Sequence, residues 1–256
     1  MTPAELHGKT VLLTGASGGI GSVTARALGA AGADLIAHYR SDRAGVEAAV
    51  SEIPDERRLL LQGDLSAPGS SRALWREAVA WRGRIDVVVV NAAMLARTPF
   101  DGSDEQWDDG WAESMRVNVV EPASLAREAV KHYLETGGGT IITISSWAAQ
   151  AGSALPQVPA YAASKAAIRN LTQTIARNFA KDGVLAYVVA PGIVRTPMAE
   201  ISAEARGGID KVHAALAMGE LVPPGEVAEL VAFLATGTVR HLTGATLDMN
   251  GASYVR

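Results

Sequence analysis

Short, almost continuously apolar runs recur along this chain, near residues 10–14, 34–39, 58–62, 85–90, 139–144, 184–190 and 244–248. In Ile85-Asp-Val-Val-Val-Val90 the β-branched residues follow one another without the polar alternation of a half-solvated sheet. A strand of this kind is covered on both faces, which is the situation in a parallel sheet. Parallel neighbours need a long crossover, usually a helix, and the gaps supply one. Ile20, Val23, Ala27 and Ala30 fall at helical spacing and Gly32 closes that helix. Ser103-Asp-Glu-Gln106 reads as a capping box ahead of Trp107, Trp111 and Met115, and the next helix stops at Gly137-Gly-Gly139. The pattern predicts an α/β fold: a doubly wound parallel sheet of seven strands in three layers. No linker, repeat or shift of composition divides the 256 residues, so 1–256 is expected to be a single domain. One softer stretch, 197–222, carries Gly207-Gly208 and weak periodicity before Pro223-Pro224, and is expected to be a substrate lid.

Composition narrows the function classes. The net charge is -4 and the 23 Lys and Arg form no basic stripe, so nucleic acid is not an expected partner. There are no cysteines, which removes disulfides, thiol nucleophiles and Cys-ligated metals, and no metal site is expected. The apolar runs are strand-sized, far short of the ~18 residues of a membrane span, so no membrane association is expected. The opening residues include Glu5 and His7 and no apolar core, and a cytoplasmic location is expected.

The turn Thr14-Gly-Ala-Ser-Gly-Gly-Ile-Gly21 joins the first apolar run to its helix. Glycines at 15, 19 and 21 permit positive φ and close backbone approach, and the N–H groups of a helix start would face an anion. The spacing is neither G-x-G-x-x-G nor a P-loop. Alone it fits a phosphate cradle or a tight strand-to-helix turn.

Tyr161 and Lys165 are spaced to share one helical stripe with Ile168, Ile175 and Phe179, the face expected against the sheet. A Lys there either snorkels to solvent or is used. An ammonium beside a phenol favours phenolate, and such a phenol can exchange a proton with a carbonyl or alcohol while hydride moves to or from a nicotinamide. Ser146 ends the fifth run, at the C-terminal edge where open α/β sheets bind ligands, and could hold the reacting oxygen.

In their order along the chain, Thr14-Gly-x-x-x-Gly-x-Gly21, Asp64-Leu65, Asn91-Ala-Ala93, Asn118, Ser146, Tyr161-x-x-x-Lys165 and Pro191-Gly192 resemble the classical short-chain dehydrogenase/reductase family over nearly the whole length. The resemblance implies a Rossmann-type dinucleotide-binding and catalytic domain with strand order 3-2-1-4-5-6-7. It implies an oxidoreductase moving a hydride between NADP(H), or NAD(H), and a ketone or secondary alcohol. Tyr161 would be the general acid/base. Lys165 would lower its pKa and hold the nicotinamide ribose, Ser146 would polarise the carbonyl, and Asn118 would anchor a water of the proton relay.

The cofactor set so implied is Gly15, Ser17, Gly18, Gly19, Ile20, Gly21, Arg40, Asp64, Leu65, Asn91, Ala92, Ala93, Tyr161, Lys165, Pro191, Gly192, Ile193 and Thr196. Ser146, Trp147 and Pro156 would meet a small-molecule substrate. Where the family usually has Asn-Asn-Ala-Gly this chain has Val90-Asn-Ala-Ala93, and its loop between Ser146 and Tyr161 is longer, with Pro156 and Pro159 inside. At the end of the second run Tyr39 takes the place of a ribose-binding acid and Arg40 follows, which favours NADP over NAD. The family is commonly homotetrameric, with the helix from 160 and the segment 242–256 the expected surfaces. A 3-oxoacyl thioester reductase, and a catalytically silent nucleotide-binding regulator on the same fold, are the alternatives.

Overall fold

The computed structural model describes residues 5–255; Met1 to Ala4, and Arg256 at the end of the segment 242–256, lie outside the described residues. Seven strands form one sheet: β1 Thr10–Leu13, β2 Asp34–Tyr39, β3 Arg58–Gln62, β4 Val87–Val90, β5 Gly139–Ile144, β6 Val184–Pro191 and β7 Thr246–Met249. Its order is β3-β2-β1-β4-β5-β6-β7 and every pairing is parallel. The expected doubly wound α/β fold is therefore present.

Two boundaries differ from the expectation by two residues. Ile85 and Asp86 precede β4, and the Asp86 carboxylate accepts the Thr10 N–H at 2.9 Å. Gly244, at φ +84, makes a turn before β7 instead of opening it.

Period-two alternation is hidden in the apolar runs because both sheet faces are covered. Val11 and Leu13, Leu35 and Ala37, and Val87 and Val89 point to one face. There they meet α1 (Gly19–Ala30), α2 (Arg43–Ala49) and, later in the chain, the helix Pro224–Ala235. Leu12, Ile36, Val88 and Val90 point to the other. They meet α3 (Ser70–Arg82) and α5 (Glu121–Thr136), the latter following α4 (Asp104–Met115). The short α6 (Ala148–Ala151) leads to the long α7 (Pro159–Phe179), which packs on the same face through Ile175 and Ala176. Each fully buried Val, Leu or Ile contributes roughly 1.5–3 kcal/mol.

Ser103 Oγ accepts the Gln106 N–H at 3.2 Å, one half of the expected capping box. The stretch 197–222 folds as two short helices, α8 (Pro197–Ala205) and α9 (Ile209–Ala215), before α10 (Pro224–Ala235). Ala199, Ala203, Val212 and Leu221 form a small apolar cluster of their own there.

α3 starts without a capping side chain of its own. Glu121, from the first turn of α5 and 2% exposed, substitutes for one. Its carboxylate accepts the N–H of Gly69 at 2.8 Å and of Ser71 at 3.0 Å. Burial pushes this carboxyl up, but the bonds from Ser71 and Gly69, helped by Arg116, outweigh it and hold the pKa below the usual range. Glu121→Ala, which leaves the buried Ser71 N–H and the half-buried Gly69 N–H without acceptors, is expected to lower stability by about 2–4 kcal/mol in urea unfolding at neutral pH. Because the folded pKa is depressed, that contribution is present above pH 4.5 and lost as pH falls below it, so the gap between the two proteins narrows in acid.

Candidate active site

Parallel strands bring the ends of β1, β4, β5 and β6 to one edge, and the strand order reverses between β1 and β4. At that reversal Thr14 Oγ1 accepts the N–H of Asn91 and of Ala92, each at 3.0 Å, and donates to Val89 O at 3.3 Å. Asn91 Nδ2 answers by donating to the carbonyls of Thr14 (2.9 Å) and Gly15 (3.1 Å).

The glycines explain themselves sterically. Gly15 has φ +71 and Gly19 φ +54, and a Cβ on Gly21 would lie 1.9 Å from the Gly15 carbonyl oxygen. Above Gly18 nothing lies within 4 Å of where a Cβ would stand, and α1 begins with no side-chain cap. Open N–H groups at a helix start with space above them fit the phosphates of a dinucleotide. Ser17 and Ile20 are half-buried on this turn. Across it, a Cβ on Gly19 would come within 3.5 Å of Thr196 Cγ2, so the cradle faces the root of the 197–222 excursion.

At the adenosine end Tyr39 is buried and Arg40 exposed. Arg43 pairs with Glu47 at 2.8 Å. Asp64 Oδ1 accepts the Ser66 N–H at 2.9 Å, and the Ser66 groups, with Arg40 and His38 adding, hold its carboxyl below the usual range. The side chain of Leu65 is turned into the core, leaving its backbone at the turn. Ala92 and Ala93 are half-buried beside Gly15.

Beyond β6, Gly192 N–H bonds Met249 O at 2.8 Å, and the Val222 N–H bonds Ile193 O at 2.9 Å, which pins the far end of the excursion to its start. Thr196 Oγ1 donates to Val194 O at 3.2 Å where α8 begins, and Pro191 is buried.

Tyr161, Lys165 and Ser146, the residues expected to handle the proton, converge on the same edge. Lys165 is 4% exposed and its Nζ donates to Ile144 O at 2.8 Å. It stands 5.8 Å from the centre of the Tyr161 ring, one helical turn away. Ser145 and Ser146 divide the work after β5. Ser145 Oγ donates to Lys165 O at 2.9 Å, while the Ser146 hydroxyl faces that of Tyr161 and accepts the Ala148 N–H at 3.2 Å.

Asn118 lies in a π-helical turn, Arg116–Val120, between α4 and α5. Its Oδ1 accepts the Met94 N–H, and its Nδ2 donates to Met94 O and to Ser164 Oγ, all within 3.0 Å. Ser164 in turn donates to Tyr161 O at 2.7 Å. Trp147 is half-buried, with its N–H on Pro191 O at 3.0 Å, and Pro156 is exposed.

Electrostatics depart from the simplest expectation. Burial raises the Tyr161 pKa above its ordinary value, and the Ser146 bond pulls the other way. Burial lowers Lys165 to about 8. With its ammonium committed to Ile144 O, Lys165 does not by itself bring the phenol into the neutral range.

Thr98 had no signal in the sequence. It is fully buried, its N–H bonds Gln157 O at 2.7 Å, and its Oγ1 accepts the Ala160 N–H at 3.4 Å, so it sets where α7 starts. Ser164 sat within the Tyr-x-x-x-Lys spacing, unmarked until its two bonds were visible. Among the described residues no group of His, Cys, Asp and Glu could hold a metal, and no helix is long and apolar enough to cross a membrane.

A family model described as enoyl-(acyl carrier protein) reductase matches residues 15–251. The 3beta-hydroxysteroid dehydrogenase 1 of Eggerthella lenta is 34% identical, over 96% of this chain and 94% of its own length. The chain belongs to the short-chain dehydrogenase/reductase family. Among solved structures, a putative NAD(P) dependent gluconate 5-dehydrogenase from Beutenbergia cavernae, with bound NADP, superposes with a TM-score of 0.87 at 31% identity, covering 98% of both chains. A 3-ketoacyl-(acyl-carrier-protein) reductase from Brucella melitensis, complexed with NADH, gives 0.84 at 26% identity over 98% of this chain and 100% of that one. As a short-chain dehydrogenase/reductase, the chain is an NAD(P)-dependent oxidoreductase acting on hydroxyl and carbonyl groups.

The Lys165 environment has a measurable signature. Its folded pKa is depressed, so the unfolded chain binds the extra proton between about pH 8 and 10.5 and stability rises across that window. In urea unfolding, wild type is expected to gain about 2–3 kcal/mol relative to Lys165→Met between pH 7 and pH 10.

Proposed function

We propose that this oxidoreductase interconverts a ketone and a secondary alcohol with NADP(H) as the preferred cofactor and Tyr161 as the general acid/base. The observation that carries the reading is the Tyr161–Ser146 hydroxyl pair, one helical turn from buried Lys165, at the sheet edge that the glycine turn opens. A bound nicotinamide supplies or accepts the hydride. Tyr161 Oη gives its proton to the carbonyl oxygen, or takes one from the alcohol. Ser146 Oγ orients that oxygen and Lys165 holds positive charge beside the phenol. The Met94–Asn118–Ser164 bonds fix the Tyr161 backbone, so the hydroxyl is presented without the need to reorder α7.

NADP preference is supported by exposed Arg40 following Tyr39 where an acid would repel a 2′-phosphate. Glycines 15, 18, 19 and 21 with Thr196 would seat the pyrophosphate, and residues 191–193 would close on the nicotinamide. Trp147 and Pro156 would border the substrate, under a lid made of α8 and α9. A 3-oxoacyl thioester as substrate is the second reading, supported by the likeness to the Brucella reductase. A panel of cyclic ketones, sugars and 3-oxoacyl thioesters, read by NADPH oxidation, separates the two. The chain is further proposed to act in the cytoplasm as a homotetramer joined through α7 and the segment from Leu242. Open edge strand β7 and Val255, 77% exposed, support that surface, and sedimentation equilibrium tests the state.

Tyr161→Phe is expected to lower kcat by about 10²–10⁴-fold, with NADPH affinity by fluorescence titration unchanged, because only the proton-transfer hydroxyl is removed. Undiminished reduction in that variant would sink the mechanism. Arg40→Asp is expected to move the NADP/NAD ratio of kcat/KM toward NAD by about tenfold or more; an unchanged ratio means that Arg40 does not read the phosphate.

A further inference from the structure

His38 is a buried titratable group that the chemistry above leaves unused. It lies one residue before the end of β2, is 2% exposed, and sits in the middle of the β3-β2-β1 half of the sheet. Its carbonyl accepts the Ala16 N–H at 2.8 Å. On the ring, Nδ1 accepts the Gly15 N–H at 3.2 Å, and Nε2 lies 3.0 Å from the Gly63 carbonyl. A backbone N–H only donates and a carbonyl only accepts, so a single protonation state satisfies both contacts: the neutral ring with its proton on Nε2. That ring ties Gly15, the first glycine of the cradle, to the residue preceding Asp64.

A second proton on Nδ1 would set donor against donor at Gly15. The surroundings leave little freedom to turn away, since a Cβ on Gly63 would already come within 3.3 Å of Nε2. The charged group facing the ring is Asp64, from the turn after β3, which is itself beside Arg40. The β1 turn, residues 14–21, contains no charged side chain.

We propose that His38 is a positioning residue for the cofactor: its neutral ring holds Gly15 and with it the phosphate-binding turn, so dinucleotide affinity falls when the ring takes up a second proton. The inference rests on reading residues 14–21 as the dinucleotide cradle. Burial, the largest influence, lowers the pKa of this imidazole below its ordinary value, against smaller opposing effects of Gly63 and Asp64. Because its folded pKa lies below 6.5, the ring stays neutral in the folded protein above that value and takes up its second proton only at lower pH. Tight binding therefore belongs to the neutral side, and weakening is expected on acidification.

The test is binding alone, by the fluorescence of bound NADPH and NADH, with no substrate, from about pH 8 to about pH 5.5. His38→Asn keeps an acceptor near the Nδ1 position; His38→Gln reaches toward Gly63 but leaves the Gly15 N–H without an acceptor; His38→Leu does neither. Near pH 8, His38→Asn is expected within about threefold of wild type, and the Gln and Leu variants about tenfold weaker. As pH falls toward about 5.5, wild type is expected to lose affinity progressively relative to His38→Asn, the same-pH comparison cancelling titration of the nucleotide's own 2′-phosphate near pH 6.

Parallel pH profiles of wild type and His38→Asn, or a His38→Leu variant that binds as tightly as wild type, overturn the proposal. Should His38→Asn fail to fold, the wild-type NADH titration decides, since NADH has no 2′-phosphate: weakening in acid supports the role and a flat profile overturns it. A wild type that binds neither nucleotide near pH 8 refutes the cradle itself, a result distinct from loss of the pH difference.

Discussion

The ligand edge of this protein depends on the hydroxyl of Thr14. By accepting two consecutive N–H groups from the residues after β4, it locks β1 to β4 where the sheet reverses direction. Asn91 closes the same knot from the other side. The backbone groups involved are half-buried strand ends with no ladder partner, and leaving them unpaired costs more than a hydrogen bond contributes. Polar residues are therefore required at this position for the fold to close, before any question of binding arises. The glycine turn inherits its shape from that closure.

From the same edge the groups proposed to handle the proton are positioned at second hand. Lys165 is held by Ile144 O, Tyr161 is framed by Ser146 and Ser164, and Ser164 is reached by Asn118 from a π-turn that breaks the regular helix between α4 and α5. A π-turn changes which residues face inward, and it sits here at a functional position, as such turns often do. The site is thus a set of side chains fixed by backbone carbonyls and neighbouring hydroxyls, with little freedom left in any one of them.

Much of this was legible in the sequence because it follows from period and spacing. Continuous apolar runs read as buried parallel strands, and Lys165 fell on the inner stripe of α7 with Ile168 and Ile175, with half-buried Tyr161 one turn before it. What period and spacing do not encode is where a polar side chain spends its bonds. Asn91, expected at the cofactor, gives its amide to Thr14 and Gly15; Asp64 gives one oxygen to its own turn; and Leu65 faces the core. Thr98 was invisible because its partners, Gln157 and Ala160, are remote in sequence. The helices of 197–222 leave only weak periodicity in the sequence, since their order comes from tertiary contacts and not from a long amphipathic repeat.

The small apolar cluster of Ala199, Ala203, Val212 and Leu221 has a wider consequence. It gives the segment 197–222 cohesion separate from the two large cores that clamp the sheet, with both of its ends stitched together at Val194 and Val222. Such a unit can open locally at a free-energy cost well below that of global unfolding. It can also exchange its outward side chains without disturbing the sheet, so under the proposed lid role substrate choice and thermodynamic stability would be inherited through different residues, and selection could alter one while leaving the other in place.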